Sequence, residues 1–179
     1  GEKQPVAVNT YKIIAEDTIV PAEYSGVVAA TDKVPVMPKV SGRVLEKYVQ
    51  GGQAVAEGQP LFRLDSRSYQ AALNAAKAGQ AQAAANLANQ QLNLRRYRTL
   101  ADEDAIAVQT VTDQEAATAQ QNAVLQAQEA QVAAAQDNMD DTIVYAPFSG
   151  TLNVDDVPIG TFATAGGTAL VTISSNNPV

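Results

Sequence analysis

The sequence predicts an α+β fold in which a small two-sheet β sandwich is split by a long antiparallel helical hairpin. Three observations carry this. Helix breakers avoid the middle of the chain: no proline lies within residues 61–146, and the only glycine within 66–141 is Gly79. That middle zone holds 22 Ala and 13 Gln among 76 residues, both strong helix formers. The two flanks repeat one glycine pattern, with spacings of 10 and 6 residues in each.

Composition narrows the function classes. The 179 residues include no Cys, no His and no Trp. Thiol chemistry, thiolate metal sites and Ser-His-Asp catalysis are therefore excluded, and a redox or zinc enzyme is not expected. No cofactor or metal is implied, and no catalytic residue stands out. The formal charge of −7 argues against nucleic acid, which needs a basic footprint. No window is long and apolar enough for a transmembrane helix, and Gly1-Glu2-Lys3-Gln4-Pro5 is not a signal peptide. Aromatic residues make up 5% of the chain against 46% apolar overall, so a single large core would be thin.

Taken in order, the first flank (33–65) reads as short strands bounded by Gly and Pro: Val34-Pro35-Val36, Gly42-Arg43-Val44-Leu45 and Pro60-Leu61-Phe62-Arg63-Leu64. The hairpin occupies 66–141, with helices at about 66–101 and 108–139. The first starts after Asp65-Ser66, either of which suits an N-cap. Tyr69, Leu73, Ala76, Gln80, Ala83, Leu87, Gln90, Leu94 and Tyr97 alternate spacings of four and three, a heptad seam. Thr118, Gln121, Leu125, Gln128, Val132, Ala135 and Met139 form the matching seam of the second helix. Its start stands open between a capping box at Thr112-x-x-Glu115 and an earlier position near Val108. The seam mixes Leu with Ala and Gln, so it buries little area and gains from packing against copies or partners. The charge pattern agrees: residues 71–94 carry one charge, Lys77, and 116–136 carry one, Glu129.

The second flank (142–175) repeats the first. Pro38-Lys39-Val40-Ser41-Gly42, Gly52 and Gly58 match Pro147-Phe148-Ser149-Gly150, Gly160 and Gly166, and each half closes on an apolar strand, the second at Ala169-Leu170-Val171-Thr172-Ile173. The glycines are expected to supply tight turns that need positive φ. Each half reads as a small β unit that cannot bury its apolar face alone.

This repeat resembles the biotinyl/lipoyl domain, itself built from two such halves. In a carrier domain a Lys on the turn between the halves bears the cofactor. Here that junction holds the hairpin, and the lysines lie only at 3, 12, 33, 39, 47 and 77, so the resemblance extends to the fold and not to the carrier chemistry. A lipoyl-like sandwich split by a coiled-coil hairpin resembles the periplasmic adaptor proteins, or membrane fusion proteins, of tripartite efflux pumps. The motifs that carry it are Val40-Ser41-Gly42, Gly52-x5-Gly58, Leu64-Asp65 and Ala146-Pro147-Phe148-Ser149-Gly150, within a match over about 24–175.

The resemblance implies a non-enzymatic subunit of a multidrug export system. It would join an inner-membrane transporter, of proton-driven RND or ATP-driven ABC type, to an outer-membrane channel. It would self-associate as a trimer or hexamer, in the periplasm of a Gram-negative bacterium, anchored to the inner membrane by lipidation or an N-terminal segment. A biotinyl/lipoyl carrier of an enzyme complex, an adaptor of an ABC-type secretion or macrolide exporter, and a coiled-coil module outside any pump are the alternatives. The family carries Arg, Leu and Ser/Thr around the hairpin tip at offsets 0, 4 and 11. Arg96 and Leu100 fit; the third position is Ala107, so the hydroxyl is missing and Thr110 and Thr112 are the nearest substitutes. With Asp102, Glu103 and Ile106, these residues are the expected channel-binding tip. Pairing of Asp102-Glu103-Asp104 with Arg95, Arg96 and Arg98 would set its register. Residues 1–32, with Val6–Ile14 and Thr18–Ala29, resemble the first strands of membrane-proximal and β-barrel regions, and 176–179 the point where the barrel resumes, so the sequence reads as part of a longer polypeptide.

Overall fold

A computed structural model describes residues 32–153, 157–167 and 169–175. The strands expected at Val6–Ile14 and Thr18–Ala29, and residues 176–179, lie outside the described residues. The order is β1 (Lys33–Val36), β2 (Gly42–Lys47), β3 (Ala54–Val55), β4 (Pro60–Leu64), α1 (Arg67–Asp102), α2 (Val108–Asp140), β5 (Ile143–Tyr145), β6 (Gly150–Asn153), β7 (Phe162–Ala163) and β8 (Val171–Ser175).

The strands form two antiparallel four-stranded sheets, β1-β8-β6-β3 and β5-β4-β2-β7. Each sheet takes two strands from each half of the repeat. Exchanging the halves (β1 for β5, β2 for β6, β3 for β7, β4 for β8) turns one strand order into the other. The halves are therefore interlocked rather than two β units set side by side. Their inner faces make one core, in which Val44, Leu61, Phe62, Leu64, Leu170 and Ile173 are fully buried. Each such aliphatic or aromatic side chain contributes roughly 1.5–3 kcal/mol by leaving water.

The same exchange holds bond by bond. The Gly58 amide donates to the Ala146 carbonyl (2.8 Å), and its counterpart Gly166 to Pro38 (3.0 Å). The Gly52 amide donates to Leu152 (2.9 Å), and Gly160 to Val44 (2.7 Å). The Ser of each Ser-Gly pair clamps a turn of the opposite half: Ser149 Oγ accepts from the Glu57 amide (3.0 Å), and Ser41 Oγ from the Ala165 amide (2.9 Å).

Gly52, Gly58, Gly160 and Gly166 have φ between 66° and 97°, the left-handed region that suits glycine. Gly42 and Gly150 differ from the expectation. Neither has positive φ; they open β2 and β6 where another strand passes close. A Cβ on Gly150 would stand 2.3 Å from the Ser174 carbonyl oxygen and 2.7 Å from Ile173 Cγ2. On Gly42 it would meet Leu64 Cβ at 3.3 Å.

On the outer face of the second sheet, Glu46 lies opposite Arg63 and accepts from its guanidinium at 2.8 Å and from the Tyr48 hydroxyl at 2.7 Å. These two hydrogen bonds, Arg63 first, hold the Glu46 carboxyl at about 2, below its ordinary 4.5. A carboxyl depressed by folding stabilises above its unfolded value, and that contribution is lost as pH falls from about 4.5 towards 2. Melting temperature should fall over this window, and Glu46→Gln should flatten that slope. Gly150→Ala should cost about 1–3 kcal/mol in denaturant unfolding, because backbone blocks the new methyl. Gly79→Ala, where only the flexible Gln128 amide lies within 2.6 Å of the added atom, should gain up to about 1 kcal/mol of helix stability.

Candidate functional site at the hairpin tip

The tip is positioned by its root. Strands β4 and β5 are antiparallel neighbours, and each runs directly into a helix of the hairpin. The Leu64 amide donates to the Thr142 carbonyl (2.7 Å), and the Asp65 amide to Arg43 (2.8 Å). Thr142, the buried polar residue among those described, donates its hydroxyl to the Met139 carbonyl (2.7 Å) and so closes the end of α2. Ser66 occupies the N-cap of α1 without a side-chain cap bond. Asp65, one residue earlier, accepts from the Arg67 amide (3.1 Å) and guanidinium (2.8 Å). The Tyr69 hydroxyl donates to the Ser41 carbonyl and ties the first turn of α1 to the β1–β2 loop.

At ~1.5 Å per residue, the 36 residues of α1 carry the tip roughly 54 Å from this root. The heptad positions are the least exposed on both helices. Leu73, Ala83, Leu87 and Leu94 of α1 are buried, whereas no residue of α2 is buried. Near the tip the seam is polar. Gln114 Nε2 donates to the Gln90 carbonyl (3.1 Å) and to Gln90 Oε1 (2.6 Å), and the Thr118 hydroxyl donates to the Gln114 carbonyl (2.8 Å).

The connection spans residues 103–107. The Ala105 amide donates to the Leu100 carbonyl (2.8 Å) and the Asp104 amide to Ala101 (3.0 Å). Asp104 sits at φ 56°. This is a Schellman closure with Asp where Gly is usual. Ala107 is the N-cap of α2, extended and with no side-chain bond to offer.

The expected tip residues fall as follows. Arg96, Asp102 and Glu103 are exposed at the end of α1, Leu100 is 37% exposed, Ile106 is half-buried and Ala107 exposed. Of the two starts left open for the second helix, the earlier one is found: α2 begins at Val108, so Thr112 donates to the Val108 carbonyl (3.3 Å) inside the helix rather than capping it, and one expectation changes, because Glu115 pairs with Arg98 (3.3 Å). That pair, not one to Asp102-Glu103-Asp104, is the ion pair joining the helices among the described residues, because the acidic run turns into the Schellman closure while Arg98 faces α2. Val108, 74% exposed, is an apolar tip residue that the sequence reading missed. An apolar residue just after a capless helix start was the available signal.

A split β sandwich that roots a long helical hairpin is the architecture of membrane fusion adaptors. The chain belongs to the RND membrane fusion protein family: residues 32–174 match its barrel-sandwich hybrid domain. It is similar to the multidrug resistance protein MdtA of Pantoea ananatis, 34% identical over 155 residues, which cover 86% of this chain and 38% of that protein. It is likewise 34% identical over 183 residues to the multidrug efflux pump subunit AcrA of Escherichia coli K12, covering 100% of this chain and 45% of AcrA. A MacA–MexA chimeric protein containing the Pseudomonas aeruginosa MexA α-hairpin superposes with a TM-score of 0.54 at 28% identity, over 80% of this chain and 46% of that one. The chain thus spans less than half the length of these curated relatives. No helix among the described residues is long and apolar enough to cross a membrane.

Asp104→Gly should relieve the left-handed backbone, and Ala107→Ser should add the missing cap. Each should raise hairpin stability by a few tenths to about 1 kcal/mol, read as slower exchange of tip amides. A loss on Asp104→Gly would instead assign the carboxylate a stabilising contact of its own.

Proposed function

We propose that this chain is the lipoyl-like and hairpin part of a non-enzymatic periplasmic adaptor, which couples an inner-membrane transporter to an outer-membrane channel in a tripartite multidrug efflux pump. The observation that carries this reading is the hairpin itself. It continues an antiparallel strand pair of a closed β core and presents Leu100 and Val108, both exposed, at its far end. Family membership favours a transporter of the RND class over the ABC class, and MdtA and AcrA are named as multidrug resistance and efflux components. A carrier role is disfavoured by the same geometry, because Asp65, Asp141 and Thr142 stand where an attachment lysine would be needed.

In this reading the tip docks on the channel through Leu100, Ile106 and Val108, with Arg96, Asp102, Glu103 and Ala107 around them. Exposed ion pairs contribute about 0–1 kcal/mol each, so the apolar residues dominate affinity. The adaptor works in the periplasm, anchored to the inner membrane, and assembles as a trimer or hexamer.

The test is capture of the outer-membrane channel by the adaptor, with drug susceptibility of the host as a second readout. Leu100→Asp and Val108→Asp should each lower capture by about tenfold or more while helix content is unchanged. Capture at the wild-type level by both variants would sink tip docking.

A further inference from the structure

The two halves of the repeat differ in a place where the fold does not require it. A shift of 108 positions carries one half onto the other, as Gly42 onto Gly150 and Gly52 onto Gly160. Strand pairing follows the same shift. Arg43 lies opposite Phe162 across β2 and β7, and their counterparts Thr151 and Ala54 lie opposite each other across β6 and β3. At this end of the first sheet the outward positions are Thr151, Asn153, Ala54 and Gly51, all small or polar. Their counterparts on the second sheet are Arg43, Leu45, Phe162 and Ile159. Leu45 is 36% exposed, Phe162 62% and Ile159 65%. The same backbone closes the core on both sheets, so these apolar side chains are not needed for folding. Exposed apolar surface gathered in one place marks a binding site more often than a defect.

This surface continues onto the hairpin root. The outer face of β2 and β7 and the first turn of α1 together line an open groove of about 870 Å³. The strands contribute Arg43, Leu45 and Phe162, and the helix contributes Arg67 and Tyr69. The helical side is fixed in place. The Tyr69 hydroxyl donates to the Ser41 carbonyl, and the Arg67 guanidinium is held by Asp65 at 2.8 Å. Arg67 first, and Arg43 from further away, keep the Asp65 carboxyl at about 2, below its ordinary 3.8. Asp65 therefore stays ionised and balances one of the two guanidiniums. The Arg43 guanidinium makes no hydrogen bond or ion pair among the described residues. The groove thus keeps one uncommitted cation beside Phe162, in a chain of net charge −7.

We propose that this groove binds a soluble, drug-sized organic anion, with its carboxylate or sulfonate on Arg43 and its apolar body against Phe162, Leu45 and Tyr69. The charge of the site selects the anion, and the exposed ring and aliphatic side chain select the apolar body. Arginine suits the anionic end, because its fork of donors meets two oxygens at once. The groove falls within the roughly 300–1,000 Å³ of small-molecule sites. It also lies at the opposite end of α1 from the tip, so a ligand there does not touch the residues assigned to the channel. The inference goes beyond the adaptor reading and does not rest on it.

The test uses two fluorescent probes on the full chain. One is 8-anilinonaphthalene-1-sulfonate; the other is N-phenyl-1-naphthylamine, the same rings without the sulfonate. Both should bind the wild-type chain, the sulfonate more tightly. Arg43→Gln should weaken the sulfonate about tenfold and leave the neutral probe within about twofold. Phe162→Ala should weaken both by about fivefold or more. Asn153→Ala, on the counterpart face, should change neither. Far-UV circular dichroism checks that each variant keeps its helix content, and Arg43→Gln removes no contact of the fold. No binding by the wild type, equal weakening of both probes by Arg43→Gln, or wild-type binding of both by Phe162→Ala overturns the proposal. Loss of self-association or of transporter capture in these variants, with no probe binding to the wild type, also overturns it and gives the face to a second copy or a protein partner. The probe assay needs neither transporter nor channel, so failure of the adaptor reading leaves the site standing.

Discussion

Everything in this molecule depends on the interlocking of the two repeat halves. Neither sheet can form from one half, because each needs two strands from the other. The chain must therefore leave the first half on β4 and re-enter the second on β5 as antiparallel neighbours. That constraint makes a hairpin the natural insertion. Its two helices start and finish at adjacent strands, and the bonds from Leu64 to Thr142 and from Tyr69 to Ser41 fix where they emerge. A rigid root matters because a small angular error at the base becomes a displacement of many ångströms at the tip.

The hairpin itself is held more loosely. Only α1 contributes buried side chains, and the seam near the tip is a Gln90–Gln114–Thr118 network rather than a layer of Leu. Small residues let the helices approach closely but bury little apolar area. The balance is consistent with an element that gains stability from neighbours. The absence of His and Cys fits the same picture, since a positioning protein needs neither nucleophile nor proton shuttle.

Much of this was legible in the sequence. The four-three spacing from Tyr69 to Tyr97 identified the seam, because heptad period survives any detail of packing. The spacings of 10 and 6 identified the repeat, because positive φ at Gly52, Gly58, Gly160 and Gly166 restricts those positions to glycine. What was hidden is long-range or conformationally atypical. Gly42 and Gly150 are glycine because another strand lies above them, which no local pattern records. Ser41 and Ser149 find their partners 124 and 92 residues away. Asp104 adopts a left-handed conformation that its identity does not announce, and Glu115 looked like a capping residue but pairs with Arg98. Interlocking was invisible for the same reason: sequence similarity shows that two halves are alike, not that they exchange strands.

Native-state hydrogen exchange on Ser149→Ala tests the interlock most directly. Ser149 belongs to the second half and holds a turn of the first. If the halves form one cooperative unit, the amides of Leu64 and Gly52 in the first half should lose as much protection as those of Leu152 and Leu170 in the second, while α1 and α2 amides near the tip change little. Loss of protection confined to one half, with the other at its wild-type value, would contradict the interlock and leave the hairpin rooted in two independent units.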